Sequence, residues 1–278
     1  MQKFSAPCIK TGDFARLCNT NKRTLFHYDD IGLFSPAYTD EKGYRYYTES
    51  QCDVFFTITC LKEIGMPLKE IKKYIDNRNP AHLKTLLLEQ QKKIRREMAN
   101  LLQIEQVIQT KLSLVSSGEA LQFSGRFSPV SIEDCPEEYL ITSPYLNTND
   151  HDALFNAICS HLSYCSHEHL NTGYPYGAML ATSSLKKNDT STYAFFFTKI
   201  SSRSSDQNCR IKPEGKYAVL YLRGNYYDAD EAYGHLFSYM EEHHLTAGEF
   251  CYKEAVWDEV ALENEEEYIT KISIPVFS

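Results

Sequence analysis

Five potential metal ligands are crowded into the stretch CSHLSYCSHEH, which holds Cys159, His161, Cys165, His167 and His169. Cysteine and histidine are the side chains that zinc prefers in proteins. The spacing matches no zinc finger, however, and if the stretch forms a helix these side chains lie on several of its faces. The stretch therefore favours a coincidental cluster at a helix end, and we expect no metal and no cofactor. No Ser-His-Asp or Cys-His arrangement for nucleophilic catalysis is legible in the sequence.

A second stretch, GYRYYTES at residues 43–50, holds three tyrosines and one arginine behind Gly43. A segment this aromatic costs solubility unless the protein covers it or a ligand binds it.

The charge distribution indicates what each part of the chain binds. Residues 1–119 contain 18 basic and 14 acidic side chains, whereas residues 120–278 contain 11 basic and 23 acidic ones. This asymmetry favours an anionic partner for the first part and a cationic partner for the second.

The 278-residue chain is long enough for two domains and a connector. Its first residues lack the apolar core of a signal peptide, and no run approaches the roughly 20 apolar residues of a membrane span. The spacing of the nine cysteines suggests no disulfide pattern, which is typical of reduced thiols. We therefore expect a cytoplasmic protein with no membrane contact.

The first 32 residues predict two short helices. Thr11 is placed to cap GDFARLC, and Thr20 is placed to cap NKRTLFHYDDIG, which ends at Gly32. The pair is typical of a helix-turn-helix, although it also fits a small helical hairpin in another kind of domain. The second helix begins with Lys22, Arg23 and Thr24, the end that usually enters a major groove.

A predicted β-hairpin, LFSPAYTDEKGYRYYTES, comes next, followed by the helices QCDVFFTITCLKEIGM and PLKEIKKYIDN. The segments TLFHYDDIGLFSP, GYRYYTESQ and LKEIGMPLKEIKKYI resemble, in order and spacing, the MerR family of transcriptional regulators over residues 8–117. The resemblance implies a winged helix-turn-helix DNA-binding domain over residues 1–80.

The resemblance also implies that GYRYYTES is the wing, with Tyr44 and Arg45 along the phosphate backbone. Of Tyr46 and Tyr47, which alternate sides of the strand, we expect one in the core. The predicted DNA-binding residues are Thr11, Lys22, Arg23, Thr24, His27, Tyr28, Tyr44 and Arg45. His27 fits a phosphate or base contact and fits a partly buried histidine equally well. The family commonly has Arg-Tyr-Tyr where this chain has Phe26-His27-Tyr28, so its operator sequence or affinity should differ.

Residues 81–117 contain neither glycine nor proline and predict a two-stranded coiled coil. The heptad a positions are Leu87, Ile94, Leu101, Ile108 and Val115, and the d positions are Gln91, Met98, Glu105 and Leu112. A long helix packed within its own chain is the alternative, and the resemblance implies an antiparallel homodimer. No cysteine occurs between Cys60 and Cys135, which excludes the thiolate site that metal-sensing members place at the end of this helix.

Residues 118–278 predict the order strand, helix, strand, strand twice, an internal duplication with a cleft between its units. This arrangement resembles the GyrI-like ligand-binding domain, and the whole chain resembles MerR regulators of the BmrR-like multidrug-sensing type. The predicted fold class is α+β multidomain: a winged helix-turn-helix, a long coiled-coil dimerisation helix and a duplicated β-α-β-β domain.

Aromatic walls in such a cleft would hold aromatic or cationic ligands by stacking and cation–π attraction. The resemblance implies that Glu254, in the YKEAV segment, attracts the cation. The other predicted ligand-binding residues are Tyr145, Cys159, Tyr176, Trp257, Glu266 and Tyr268, of which Cys159 replaces a tyrosine of related pockets. Each tyrosine also fits a core or surface strand position, and Glu254 also fits a solvated carboxylate.

The predicted function is that of a homodimeric transcription activator, which binds double-stranded promoter DNA and responds to a hydrophobic, cationic small molecule. The resemblance implies that the ligand lets the dimer distort and shorten an over-long promoter spacer for RNA polymerase. The alternative is a GyrI-like small-molecule hydrolase or a drug-sequestering protein.

Overall fold

The computed structural model describes residues 8–123, 125–226 and 228–278. The chain divides into two compact units, Met1–Asn100 and Leu101–Ser278. The boundary lies inside one continuous helix of 40 residues, Pro80–Glu119. In the described ranges, none of the helices combines the length and apolar character that crossing a membrane requires.

The first unit consists of short helices around a small sheet. In chain order its elements are β1 (Ile9–Lys10), α1 (Thr11–Leu17), α2 (Lys22–Asp30), β2 (Tyr38–Thr39), β3 (Arg45–Tyr47), α3 (Ser50–Glu63), α4 (Leu68–Asp76) and the start of α5 (Pro80–Glu119). β3 is the central strand of the antiparallel sheet β1-β3-β2. Phe14, Phe34 and Tyr47 stack beneath it with ring centres between 4.5 and 5.8 Å apart. Tyr47 is therefore the core tyrosine of the hairpin.

The helix starts differ in detail from the sequence prediction. Thr11 begins α1 but does not cap it, because its hydroxyl donates to the carbonyl of Arg45 at 2.8 Å and ties α1 to β3. Asn21, rather than Thr20, caps α2 by accepting from the backbone N–H of Thr24. The predicted end at Gly32 is confirmed by its φ of +65°, a left-handed conformation that glycine adopts at little cost.

The second unit is one antiparallel sheet with helices. After α5 its elements are β4 (Ser131–Cys135), β5 (Glu138–Thr142), α6 (His151–His167), β6 (Gly177–Ala181), α7 (Thr182–Leu185), β7 (Phe195–Ile200), β8 (Cys209–Lys212), β9 (Gly215–Arg223), α8 (Asp230–Glu242), β10 (Thr246–Ala247), β11 (Phe250–Trp257), a 3-10 turn (Glu265–Glu267) and β12 (Ile269–Phe277). The sheet order is β4-β9-β12-β11-β6-β7-β5-β8, with β10 paired to β12.

The predicted duplication is confirmed. β5-α6-β6-β7 and β9-α8-β11-β12 follow the same order, and their sheets, β5-β7-β6 and β9-β12-β11, meet at the antiparallel pair β6 and β11. Because strand side chains alternate in direction, each face of the sheet has its own core. Leu180, Leu220 and Ile272 pack with α8 on one face, whereas Phe197, Tyr217 and Tyr252 form the core of the other.

Candidate nucleic-acid interface and ligand cavity

Exposed donors of the first unit lie at the start of α2 and on the wing. Lys22 and Arg23 are exposed on the first turn of α2, and His27 is exposed one turn later. Thr24 is half-buried, and its hydroxyl contacts the capping oxygen of Asn21 at 3.1 Å. Tyr44 is 63% exposed on the hairpin. Lysine, arginine and tyrosine side chains are common donors to phosphate oxygens, and lysine and arginine also contact base edges.

Of two further predicted contacts, Tyr28 is buried and Arg45 is held by neighbours within the first unit. Tyr28 is only 3% exposed, and its ring lies 6.1 Å from that of Phe55. Its ring therefore belongs to the core of the first unit rather than to a DNA-facing surface. Arg45 donates from Nε to Asp29 at 2.7 Å, and its guanidinium lies 4.8 Å from the centre of the Phe26 ring. Phe26, at the departure from the family pattern, thus helps to position the wing arginine.

A cavity of about 410 Å³ opens beside α6 in the second unit. Leu154, Phe155 and Ile158 of α6 line one side, and Ala178 of β6 and Phe196 of β7 line the sheet side. Its volume and largely apolar walls are typical of a site for a small organic molecule.

Aromatic side chains complete the cavity wall. They are Tyr174, Tyr176, Tyr193, Tyr226 and Trp257. Stacking of a flat ligand on such rings contributes about 0.5–1.5 kcal/mol per pair beyond the buried area. Of the seven predicted ligand-binding residues, the structure brings Tyr176 and Trp257 together at this cavity.

The last turns of α5 also contribute to the cavity, through Lys111. Farther along the helix, the indole Nε1 of Trp257 donates to the carbonyl of Val115 at 3.3 Å. The indole lies so close to Gly118 that a Cβ at this position would come within 2.3 Å of it. Glycine is therefore required for this contact between the helix and the cavity wall.

Lys253 is a charged cavity residue that the sequence analysis missed. It lies on β11, and together with Ala255 and Trp257 it lines the cavity. Its side chain is 7% exposed, and its ammonium lies 6.0 and 5.9 Å from the ring centres of Tyr193 and Tyr226. Burial lowers the pKa of Lys253 to about 8, because the low-dielectric surroundings disfavour the charged form.

Glu254 lies outside the cavity lining, in a ring of four charges of which Glu254 and Lys212 are buried and Glu138 and Lys199 are partly buried. Lys199 lies 2.7 Å from Glu138 and 2.8 Å from Glu254. Lys212 lies 2.8 Å from Glu138 and 3.4 Å from Glu254. Burial alone would raise the pKa of Glu254, but the two ammonium groups hold it at about 2. This corrects the placement of Glu254: its carboxylate is occupied by lysines and does not face the cavity.

Four other predicted ligand-binding residues do not line the cavity. Tyr145 is exposed beside Phe195, with ring centres 5.3 Å apart, and Cys159 is exposed on α6. Glu266 is exposed on the 3-10 turn, whereas Tyr268 is buried just before β12. Alternation along β11 could have identified Lys253, because it is an even number of residues from Trp257. Nothing local in the sequence points to Lys111 or Tyr226.

The cysteine and histidine stretch lies on α6 and just beyond it. His161 is buried and hydrogen-bonded to the hydroxyl of Thr198 at 2.9 Å, and burial lowers its pKa to about 4. The thiol of Cys165 lies 3.7 Å from the same imidazole, whereas His167 and His169 are exposed. Within the part of the chain that the structure describes, no three His, Cys, Asp or Glu side chains are grouped to hold a metal ion. His161 is thus a neutral structural partner of the strand beside the cavity.

Comparisons with known proteins match both units. Residues 9–78 match the family model of the MerR HTH family regulatory protein, residues 57–111 match that for MerR, DNA binding, and residues 129–276 match that of the GyrI-like small molecule binding domain. The multidrug-efflux transporter 2 regulator of Bacillus subtilis (strain 168) is 34% identical over 96% of this chain and 95% of its own. The multidrug-efflux transporter 1 regulator of the same strain is 32% identical over 75% and 76%, respectively. A cryo-EM structure of an EcmrR-DNA complex in EcmrR-RPo is 20% identical, covers 96% of this chain and 99% of its own, and gives a TM-score of 0.43.

Proposed function

Because this chain belongs to the MerR HTH family and carries a GyrI-like small molecule binding domain, we propose that it is a ligand-responsive transcription activator. The first unit binds promoter DNA through α2 and the wing, and the cavity binds a hydrophobic small molecule. Ligand binding changes the distortion of the promoter and thereby its use by RNA polymerase. The family and the named relatives support regulation of transcription rather than catalysis.

The observation that carries this proposal is the contribution of α5 to the cavity wall. A ligand beside Lys111 contacts the same continuous helix that begins at Pro80. The contacts of Trp257 with Val115 and Gly118 join the cavity wall to that helix a second time. A ligand can shift a conformational equilibrium only through differential contacts with the two states. Its contact with α5 provides such a difference.

The surface of α5 supports assembly into a homodimer. The apolar a and d positions are 40 to 58% exposed within the single chain; they are Leu87, Ile94, Met98, Leu101, Ile108, Leu112 and Val115. Soluble monomers rarely leave an apolar stripe of this length exposed, and here it is interrupted at the d positions only by Gln91 and Glu105. We therefore propose that two copies pair along this stripe, in the antiparallel arrangement that the family resemblance implies.

Selection from random duplex DNA, followed by transcription in vitro, tests the proposed function. The full chain should enrich a specific operator, and transcription from a promoter carrying it should change when an aromatic ligand that raises the melting temperature is added. Failure to enrich any sequence, or transcription that stays constant with every stabilising ligand, would contradict the proposal. A chemically altered ligand after incubation would instead favour the hydrolase alternative.

A further inference from the structure

The cavity contains a buried ammonium group, that of Lys253, which pairs with no carboxylate of the described residues. In the described ranges, no carboxylate oxygen of an Asp or Glu lies within 4.0 Å of the Lys253 ammonium. The remaining residues, 1–7, 124 and 227, include no acidic side chain. A buried ion without a partner is unfavourable by several kcal/mol. A ligand that brought an anion to this ammonium would remove part of that penalty.

The groups around Lys253 leave its charge largely uncompensated. Cys251, two residues earlier on the same strand face, has its pKa raised to about 12 by burial and is uncharged. Asp230, at the start of α8, acts on the ammonium only from beyond ion-pair distance. Tyr193 and Tyr226 present their rings to it at about 6 Å. Such rings stabilise a cation far less than an ion pair would.

The other charges of the cavity do not supply an anion beside Lys253 either. Lys111 adds a second positive charge to the lining. Asp258 and Glu259 belong to the loop after β11, where Asp258 accepts from the backbone N–H of Val260 at 3.1 Å and Glu259 is exposed. The carboxylate of Glu254 is held by Lys199 and Lys212. The cavity lining as a whole contains two lysines and two carboxylates, but the part of the cavity beside Lys253 is cationic.

We propose that the cavity selects aromatic ligands that carry an anionic group, and that Lys253 binds this group while the ligand ring lies against the aromatic walls. The proposal rests on the proposed function, because it assigns the ligand class of the same cavity. It reverses the sequence-based expectation of a cationic ligand.

Three probes that share one ring system separate charge from shape: 2-naphthoate, 2-naphthylmethanol and (2-naphthylmethyl)trimethylammonium. Calorimetric titration at pH 7 of the full chain should give an affinity for naphthoate at least about tenfold above that for the ammonium probe. Lys253→Met should reduce the naphthoate affinity at least about tenfold and change that of the neutral alcohol by less than about twofold. Lys253→Arg should keep the preference for the anion. Lys216→Met, the same substitution at an exposed lysine of β9, should behave as the unmodified protein.

A pH series provides a second readout. Naphthoate affinity should fall as the pH rises from 7 to 9.5, because Lys253 loses its proton near pH 8 in the free protein. The decrease should be absent in Lys253→Met, and the affinity of the neutral probe should stay constant over this pH range. A preference for the ammonium probe, or equal losses in Lys253→Met and Lys216→Met, would overturn the ligand class while leaving a ligand-binding regulator intact. Binding of none of the probes would also overturn the ligand class, and together with transcription unchanged by any aromatic compound it would overturn the proposed function as well.

Discussion

Replacement of Glu254 by glutamine distinguishes a ligand-binding carboxylate from a structural one. In the structure Glu254 lies within ion-pair distance of Lys199 and Lys212, so Glu254→Gln leaves two ammonium groups with one carboxylate, that of Glu138. The two ammonium groups hold the pKa of Glu254 well below its ordinary 4.5, so its charged form stabilises the folded protein at neutral pH. Removing one partner of a buried ion pair costs about 3–5 kcal/mol, and we expect a loss of this order.

The sign of the pH dependence follows from the depressed pKa. The contribution of Glu254 is complete above the unfolded value near 4.5 and is lost as the pH falls toward 2. Urea unfolding followed by the fluorescence of Trp257, the only tryptophan of the chain, should therefore show the loss at pH 7 and a smaller loss at pH 3. Glu214→Gln, at an exposed glutamate before β9, is the matched control and should change neither value.

Ligand titration completes this test. The affinities of the three naphthyl probes for folded Glu254→Gln should stay within about twofold of those for the unmodified protein. An unchanged free energy of unfolding combined with selective loss of the ammonium probe would refute the reasoning and place Glu254 at the ligand.

Three further substitutions test the DNA, dimer and coupling contacts. Arg45→Ala should weaken operator binding and reduce the salt slope by about one counterion, whereas Arg203→Ala in the second unit should not; equal slopes in a mobility-shift series would exclude Arg45 from the interface. Leu101→Asp places a charge at an exposed a position and should give monomers in sedimentation and lose operator binding, with Gln109→Asp as control; an intact dimer would mean that α5 pairs elsewhere. Gly118→Ala should displace the indole of Trp257, shift its fluorescence emission and weaken the response to ligand, whereas Ser117→Ala should not; an unchanged spectrum and response would show that this contact does not couple the cavity to α5.

Those parts of the fold that depend on periodicity were predictable from the sequence. Strand alternation and helical phase predicted the order β5-α6-β6-β7 and its repeat, because each element must turn its apolar side chains toward one core. The end of α2 was predictable because Gly32 has the φ that only glycine adopts easily. The cap of α2 was not, because Thr20 and Asn21 are both good capping residues and differ only in backbone conformation.

The predictions for the cavity were less successful for two physical reasons. First, residues far apart in sequence form its wall, and no local pattern indicates that Lys111 or Tyr226 reaches the same space as Tyr176. Second, Glu254 and Trp257 are three positions apart, so a regular strand turns them to opposite faces. The sequence therefore already contained an argument against placing both in one pocket, although a bulge between Ala255 and Trp257 interrupts the regular pairing of β11.

The orientation of β11 decides the charge of the cavity, because Lys253 and Glu254 are neighbours with opposite signs. A shift of the strand by one residue would exchange them, so that a carboxylate would face the cavity and an ammonium would enter the ring of charges. Contacts on both faces of the sheet hold β11 in one orientation. On one face the indole of Trp257 packs against Gly118, and on the other the carboxylate of Glu254 pairs with Lys199 and Lys212. The contacts that fix this strand therefore also fix the sign of the ligand that the cavity accepts.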